Sequence, residues 1–262
     1  MALAEYEVYA IKYAHHSRRA AENFLHGLVK DEHDGPMPLD YFVWLIRGGG
    51  HEIVVDTGFS AAMGRKRGRL HLRCPTEGLR LLGCDASKVK DVVITHLHYD
   101  HVGNFDLFPA ATLHLQDVEM HYATGRHMGE KHHSFAYEVE EVVGMVRRVY
   151  ENRVRFHNGD GEIAPGVSLH LIGGHTMGMQ SVRVATRRGW VVLASDASHF
   201  YANMEQTRPF PIVYSVDAMV AGYEKLRSLA ASPGHVIPGH DPLVMQRYPA
   251  VKGLEGIAVR LD

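Results

Sequence analysis

The sequence predicts an α/β protein in which two stacked sheets are covered by helices on their outer faces. Segments that read as strands dominate both halves of the chain, and segments with helical spacing lie between them. Helices interspersed among strands in this way cover the faces of sheets. Apolar residues make up 45% of the 262 residues, the usual share for a protein with a substantial core. We therefore expect one domain that spans residues 1–262.

In the N-terminal half, alternating or apolar runs predict strands. These runs lie at 6–13, on both sides of a Gly-rich turn at 48–50 within 41–58, at 91–95 and at 111–116. Helical spacing predicts a short helix at 76–84 and a longer one at 134–150. The apolar face of the longer helix would carry Val139, Val142, Val143 and Val146.

The C-terminal half repeats this mixture of strands and helices. Strands are predicted at 167–174, 181–186 and 190–195, and the last two form a hairpin through Arg187, Arg188 and Gly189. Residues 215–231 predict the clearest helix, with Ser215 as N-cap and Asp217 in the first turn. Its core-facing residues would be Val216, Met219, Val220, Tyr223 and Leu226. A final short strand and loop are predicted at 235–241.

Charge and composition exclude several classes of protein. The net charge is −2, so no global basic field attracts nucleic acid or an anionic membrane. No run is long enough to span a bilayer, and the N-terminus has no signal-peptide core. Cys74 and Cys84 are expected to be reduced thiols of a cytoplasmic protein. The basic run at 64–73 is expected to be a solvated loop rather than an anion-binding or partner-binding patch.

The stretch THLHYDHVGN at 95–104 carries the strongest chemical signal. It follows the strand predicted at 91–95 and contains His96, His98, Asp100 and His101. Alternate residues of an extended segment point to the same side, so the first two histidines converge on one ion. The following turn directs the other two residues toward a second ion. Imidazoles and carboxylates suit zinc and related divalent cations, whereas a solvated loop is the alternative.

Three later loops supply the ligands that this motif lacks. His175 follows the strand at 167–174, Asp196 follows the strand at 190–195, and His240 follows the last short strand. Each residue is flanked by small residues at a strand end. With the first motif they make seven ligands, which is enough for two ions with positions left for water and substrate.

With these motifs the chain resembles the metallo-β-lactamase superfamily over nearly its whole length. The resemblance implies an αββα sandwich. It implies that one metal is bound by His96, His98 and His175, the other by Asp100, His101 and His240, with Asp196 bridging both. It also implies that Asp56, in VVDTG, supports the ligand loop without binding metal. The alternative for this aspartate is a simple turn residue.

Within that superfamily, the chain is similar to the N-acyl-homoserine lactone lactonases, which act in quorum quenching. The shared wording includes GHTMGMQS at 174–181, SDAS at 195–198 and GHD at 239–241. These lactonases typically have a substrate-contacting tyrosine three residues after the bridging aspartate. Here His199 stands at that position, and Tyr201 follows two residues later.

The expected function is a dinuclear metal-dependent hydrolase that opens a lactone or related ester through a hydroxide bridging two divalent ions. The ions are expected to be Zn²⁺, with Mn, Co or Fe as alternatives. The candidate catalytic residues are Asp100, Asp196 and His199, and His199 would either donate a hydrogen bond to the substrate or be a rim residue. A glyoxalase II-like thioesterase is the alternative enzyme, and a non-catalytic binding module is a third reading. The thioesterase needs a cationic cluster near the metals, and the sequence reveals none.

Two segments are candidates for the entrance to the site. Residues 120–137 lack clear periodicity before 134 and predict either a lid over the metals or a plain surface excursion. Residues 23–41 predict a loop near the entrance or a dimer contact. The expected partner is a small lactone or ester, with neither nucleic acid nor membrane, and the sequence leaves open whether the protein is a homodimer.

Overall fold

The structure is a computed structural model that describes residues 5–25 and 34–262. Its strands form two sheets that lie face to face, and helices cover the outer face of each sheet. The predicted α/β class and the αββα layering are confirmed. Part of the segment 23–41, predicted as an entrance loop or dimer contact, lies outside the described residues.

The strands are β1 Glu7–His16, β2 Leu39–Gly48, β3 His51–Val55, β4 Leu70–His71, β5 Asp91–Val93, β6 Thr112–Gln116, β7 Val154–His157, β8 Gly161–Ala164, β9 Val167–Leu171, β10 Gln180–Thr186, β11 Gly189–Ser195, β12 Val236–Pro238 and β13 Ala258–Arg260. The first sheet has the order β13-β1-β2-β3-β5-β6-β7, with β4 paired to β1, and the second has the order β12-β11-β10-β9-β8. Neighbours from β3 to β7 are parallel, whereas β1, β2 and β13 pair antiparallel.

The helices are mostly short and lie between the strands. Of those in the described part of the chain, none is both long and apolar enough to cross a bilayer. The helices are α1 Ala61–Arg67, α2 Pro75–Leu81, α3 Tyr99–Val102, α4 Asp117–Thr124, α5 Lys131–Ser134, α6 Val139–Tyr150, α7 Tyr201–Glu205, α8 Val216–Leu229 and α9 Val244–Arg247, with 3₁₀ turns at Ala20–Glu22, Phe105–Leu107, Arg126–Gly129 and Pro233–His235.

Strand β2 shows why its sheet is apolar on both faces. Successive strand residues point to opposite faces. Phe42, Trp44 and Ile46 therefore pack into the core between the two sheets. Val43 and Leu45 point the other way and pack beneath the outer helices. A strand buried on both sides reads as a continuous apolar run, and this one does.

Helix α8 covers the outer face of the second sheet as its spacing predicts. The Ser215 hydroxyl accepts a hydrogen bond from the backbone N–H of Ala218, which confirms the predicted N-cap. Met219, Tyr223 and Leu226 are buried on the inner face of the helix. Val216, the first residue of the helix, was predicted to face the core but is 40% exposed.

The predicted face of α6 is partly wrong. Val139 is 73% exposed and Val143 is 37% exposed, whereas Val142 and Met145 are buried. The first valine is also the first residue of the helix, where the chain has not yet reached the core. Met145 follows Val142 by three residues, so these two side chains share the inner face. Val146 is half-buried beside them.

Two other expectations are corrected. The segment 235–241 does not hold the last strand, because Ala258–Arg260 pairs with β1 and adds an edge to the first sheet. The segment 120–137 contains most of α4 and all of α5, and its role as a lid or a surface excursion stays a prediction. The basic run at 64–73 is no loop, because it contains the end of α1 and all of β4. The remaining predicted strands and helices are found at their expected places, and both cysteines are free thiols.

A buried carboxylate connects α4 to three other segments of the chain. Glu119 is fully buried, and one of its oxygens accepts hydrogen bonds from the Leu97 backbone N–H (3.0 Å) and the Tyr137 hydroxyl (2.9 Å). The other oxygen accepts from the Thr176 hydroxyl (2.6 Å) and the Gly178 N–H (3.0 Å). Four donors from three segments meet on one side chain, so Glu119 sets the spacing of these segments.

We expect Glu119→Gln to lower the free energy of unfolding by about 1–3 kcal/mol. Either orientation of the new amide turns its NH₂ group toward a buried backbone N–H, which then has no acceptor. Urea denaturation followed by circular dichroism measures the change. The matched control is Asp117→Asn, an exposed residue at the start of the same helix, which should cost no more than about 1 kcal/mol. Equal losses in the two variants would contradict the assigned role of Glu119.

Candidate metal centre

The seven predicted ligand residues meet at one edge of the sandwich. They are buried, and they fall into groups whose nitrogen or oxygen atoms lie within 4.8 Å of one another. The loops that carry them follow strands of both sheets, because β5 belongs to the first sheet and β9, β11 and β12 to the second. The groups are His96 with His98 and His175, Asp100 with His101 and His240, His96 with His101 and Asp196, and His175 with Asp196 and His199.

The carboxylate of Asp196 lies between the two predicted sites. Its Oδ1 is 2.9 Å from His240 Nε2 and 3.4 Å from His101 Nε2. Its Oδ2 is 3.4 Å from His175 Nε2 and 3.9 Å from His96 Nε2. Each oxygen therefore faces the imidazoles of a different group, an arrangement suited to a carboxylate shared by two cations.

In two of the histidines, the ring nitrogen that points away from the centre donates a hydrogen bond to a backbone carbonyl. His175 Nδ1 donates to the carbonyl of Ile212 (2.7 Å), and His240 Nδ1 donates to the carbonyl of Asp40 (2.9 Å). A proton fixed on Nδ1 leaves the Nε2 lone pair of a neutral imidazole directed inward. These carbonyls thus fix both the tautomer and the ring orientation.

Unpaired inner nitrogens indicate what the centre is built to hold. Among the described residues, the buried Nε2 atoms of His96 and His101 have no hydrogen-bond partner. Leaving such atoms unpaired is costly. Neutral imidazoles and carboxylates that converge in this way are the donor set of divalent transition metals, so the residues fit two such cations.

The protonation of the histidines differs between the two groups. Burial lowers the pKa of His96 and His98 well below the usual imidazole value, and repulsion from neighbouring histidines adds to the effect. Burial also lowers the pKa of His175 to about 4. Burial acts the same way on His101, but the nearby carboxylates, first that of Asp196, outweigh it and raise the pKa well above its ordinary value. The first group therefore consists of neutral imidazoles with free lone pairs.

A second buried carboxylate supports the loop after β5. Asp56 accepts hydrogen bonds from the Thr95 N–H and hydroxyl, both at 2.8 Å, and contacts His101 Nδ1 at 2.7 Å. The Ser195 hydroxyl also donates to it at 3.3 Å. Asp56 and Ser195 have positive φ angles of 60° and 48°, which non-glycine residues adopt at a cost. The surrounding hydrogen bonds hold both residues in these conformations.

One glycine allows the ligand loops to approach closely. A Cβ atom added at Gly239 would lie 2.7 Å from both Asp196 Oδ1 and the Ser195 carbonyl oxygen. Neither neighbour has room to move, since both are buried. The glycine of the GHD motif is therefore required for His240 to reach its place beside Asp196.

A cavity of about 100 Å³ opens directly onto these residues. Its polar lining includes Arg18, Arg67 and Arg69, and Phe135 and Ala136 form part of its wall. The basic run at 64–73, predicted to be a solvated loop, therefore borders the cavity, and it contributes to a cationic cluster that the sequence did not reveal. The run reaches the cavity because α1 turns directly into β4, which pairs with β1 beside the first sheet's edge.

His199 lies inside the centre rather than at its rim. Its Nε2 is 2.9 Å from Asp196 Oδ2, and its ring stacks on Phe210 with centroids 3.5 Å apart and an angle of 11°. Tyr201 points elsewhere, since it packs under Arg247 and lines a separate cavity. Tyr99 faces the cavity beside the ligand residues, where its hydroxyl accepts a hydrogen bond from Arg69 Nε at 3.1 Å.

Sequence reasoning missed the positioning residues. Glu119 and Thr95 show no motif, because their partners come from distant segments of the chain. The only signal for them is their position: Thr95 directly precedes His96, and Glu119 lies three residues after β6. Arg18 and Arg69 lie 51 positions apart in sequence, and only the fold brings both to the cavity.

Comparison with known proteins identifies relatives of this chain. The N-acyl homoserine lactonase AttM of Azorhizobium caulinodans is 31% identical over 194 residues, which cover 68% of this chain and 66% of that protein. An N-acyl homoserine lactonase of a Bacillus species is 30% identical over 165 residues, covering 62% and 60%. The chain thus spans slightly less than two thirds of the length of these curated relatives.

Solved structures share the fold at lower identity. One is an N-acyl homoserine lactone hydrolase with the product N-hexanoyl-L-homoserine at its catalytic metal centre, with a TM-score of 0.76 and 21% identity, covering 95% of this chain and 98% of that one. Another is a dizinc quorum-quenching lactonase, with a TM-score of 0.69 and 16% identity, covering 92% and 90%. The family model described as the metallo-beta-lactamase superfamily matches residues 37–242. Since that match covers most of the chain, the protein belongs to the metallo-beta-lactamase superfamily.

Proposed function

We propose that the protein is a dinuclear metal-dependent hydrolase that opens the ring of a lactone. The observation that carries the proposal is the position of Asp196, whose two oxygens face two separate groups of histidines. The names of the curated relatives support lactones as the substrate class. When bound, two divalent cations, with Zn²⁺ the expected pair, lower the pKa of water and polarise a carbonyl.

The chain's own residues position these components. His96, His98 and His175 would hold one cation, and Asp100, His101 and His240 the other, with Asp196 shared between them. His98 would use Nδ1, because this nitrogen lies 3.0 Å from His175 Nε2 at the centre of the group. The ring of Tyr137 packs edge-on against His98 with centroids 4.6 Å apart, which fixes the orientation of this imidazole.

Asp100, Asp196 and His199 are the proposed catalytic residues. Asp100 lines the cavity with its Oδ2 3.7 Å from His101 Nε2, and we assign to it the exchange of a proton with the ring oxygen. His199 is neutral at physiological pH, because burial lowers its pKa to about 4. Its contact with Asp196 Oδ2 orients that carboxylate, and stacking on Phe210 holds the ring in place.

A thioester is the rival substrate, and the arginines at the cavity meet one requirement of a glyoxalase II-like enzyme. The lactone is preferred because the curated relatives carry lactonase names. Turnover of matched lactones and thioesters by the metal-reconstituted protein distinguishes the two. Faster turnover of the thioester would favour the rival.

Removal of metal should abolish hydrolysis. Exhaustive chelation is expected to eliminate lactone opening, and adding back zinc, cobalt or manganese should restore it. Elemental analysis of the restored protein should find two metal ions per chain. Full activity in protein shown to be metal-free would refute the proposed mechanism.

Asp196→Ala should lower kcat by about 10³-fold or more, since it removes the group shared by both cations. Bound metal, measured by elemental analysis after dialysis, should fall with it. Asp85→Ala, an exposed aspartate in the loop after α2, is the matched control and should keep both metal and rate. Retention of two tightly bound ions in Asp196→Ala would argue against a bridging role.

His199→Ala should lower kcat by about 10–100-fold, because Asp196 loses its orienting partner. His199→Tyr should restore part of the rate on N-acyl homoserine lactones, since tyrosine stands at this position in lactonases. Steady-state kinetics of both variants on the same lactone measures the effect. Rates equal to wild type in both variants would make His199 a bystander.

A further inference from the structure

The charge of one arginine at the cavity is unmatched. Arg69 donates from Nε to the Tyr99 hydroxyl (3.1 Å) and from Nη1 to the carbonyl of Arg67 (2.7 Å), and both acceptors are neutral. Within residues 5–25 and 34–262, no carboxylate lies within 4.0 Å of its guanidinium. The side chain is only partly exposed, so water screens its charge incompletely.

A second arginine is only weakly matched. The Arg18 side chain is 17% exposed and lines the same cavity. Its Nε is 3.7 Å from a carboxylate oxygen of Glu22, which is 52% exposed, and such a solvated pair contributes little. Its Nη2 donates to the Glu22 carbonyl at 2.6 Å, which fixes the side chain in place.

The third arginine of the cavity provides a contrast. Arg67 is paired with Glu138 at 2.7 Å, and it also donates to the carbonyl of Phe135 at 2.6 Å. Its guanidinium lies over the Tyr99 ring, 4.5 Å from the centroid. Its charge is therefore partly offset by a carboxylate that it shares with Lys66, which lies 2.6 Å from the other oxygen. Arg18 and Arg69 have no comparable carboxylate partner among the described residues.

The two arginines share one cavity and affect a neighbouring imidazole. Burial, followed by repulsion from Arg69 and Arg18, lowers the pKa of His16 to about 4. Burial lowers the pKa of Arg18, whereas burial of Arg69 is outweighed by nearby tyrosines and Asp100, which raise its pKa. A bound anion in the cavity would lie beside both guanidinium groups.

The carboxylates of the centre do not supply that anion. Asp196 is surrounded by five histidines, and Asp100 faces His101 and His240. The cations that these ligands imply would add more positive charge than two carboxylates offset. Arginine is suited to planar oxyanions, which its fork-shaped guanidinium binds with two parallel hydrogen bonds.

We propose that the substrate is a small lactone bearing a carboxylate, and that Arg69 and Arg18 bind this carboxylate beside the metal centre. The inference rests on the proposed lactonase function and narrows its substrate class. The cavity of about 100 Å³ is small compared with typical ligand pockets of about 300–1,000 Å³, which favours a compact substrate. A neutral lactone would offer no carboxylate to either guanidinium group.

Two matched substrates test this proposal. They are γ-butyrolactone-γ-carboxylate and the corresponding carboxamide, which have nearly the same size but differ in charge. The metal-loaded wild-type protein should prefer the carboxylate in kcat/KM by about tenfold or more, the range expected for hydrogen bonds to a charged group. Arg69→Gln and Arg18→Gln should each remove most of that preference. The control is Arg47→Gln, whose arginine pairs with Glu52 on β2 and β3, and this variant should keep it.

Product affinity provides an independent measurement. The ring-opened dicarboxylate should bind the metal-loaded protein about tenfold more weakly after Arg69→Gln, as measured by isothermal titration calorimetry. Thermal unfolding of each variant checks that it is folded. Arg18→Gln gives a second determination if Arg69→Gln does not fold.

The outcomes separate this inference from the proposed function. If wild type opens both lactones without preference, or the arginine variants keep the preference, the anion site is refuted and the lactonase stands. If the variants lose both lactones equally, the arginines act on the reacting group and the inference is wrong. If neither lactone is opened but the dicarboxylate binds through Arg69, the lactonase proposal fails and the anion site stands.

Discussion

The carboxylate of Asp196, which lies between two groups of imidazoles, makes the contacts on which the geometry of the site depends. Its two oxygens face separate groups of imidazoles, so its position defines the distance between those groups. Two neighbours fix the position of the aspartate. Ser195, the last residue of β11, precedes it with a positive φ angle, and Gly239 packs closely against its carboxylate. A change at either neighbour would shift both groups together.

Buried acids play two different parts around this centre. Asp196, among histidines, has its pKa held well below the ordinary value, because the charges of His240 and His101 outweigh the cost of burial. Glu119, surrounded by neutral donors, shows the opposite shift, since burial raises its pKa more than four hydrogen bonds lower it. The first acid serves as a ligand candidate and the second as a structural acceptor. Environment, rather than residue type, assigns these roles.

The sequence predicted the layering and the ligand set because both depend on local order. Each ligand lies in a loop that follows a strand, and strand ends meet at one edge of a sheet. It could not predict Glu119, whose donor Gly178 is 59 positions away, or the pairing of Arg18 and Arg69 at one cavity. The exposed Val139 shows a related limit, since periodicity gives a helix face but not where the core begins. A run of like charges usually lies in solvent, so the sequence predicts a solvated loop at 64–73. The pairing of β4 with β1 instead brings this run to the cavity.

Because the candidate ligands come from both sheets, bound metal would link the lifetime of the protein to its metal supply. A cation held by loops of both layers acts as a cross-link between them, and the unfolded chain offers no such site. At a free concentration a thousand times its dissociation constant, one bound ion adds about 4 kcal/mol to the stability of the native state. The loaded protein would then populate open, protease-sensitive forms about a thousandfold less often. Metal scarcity in a cell would therefore reduce the amount of this protein as well as its activity.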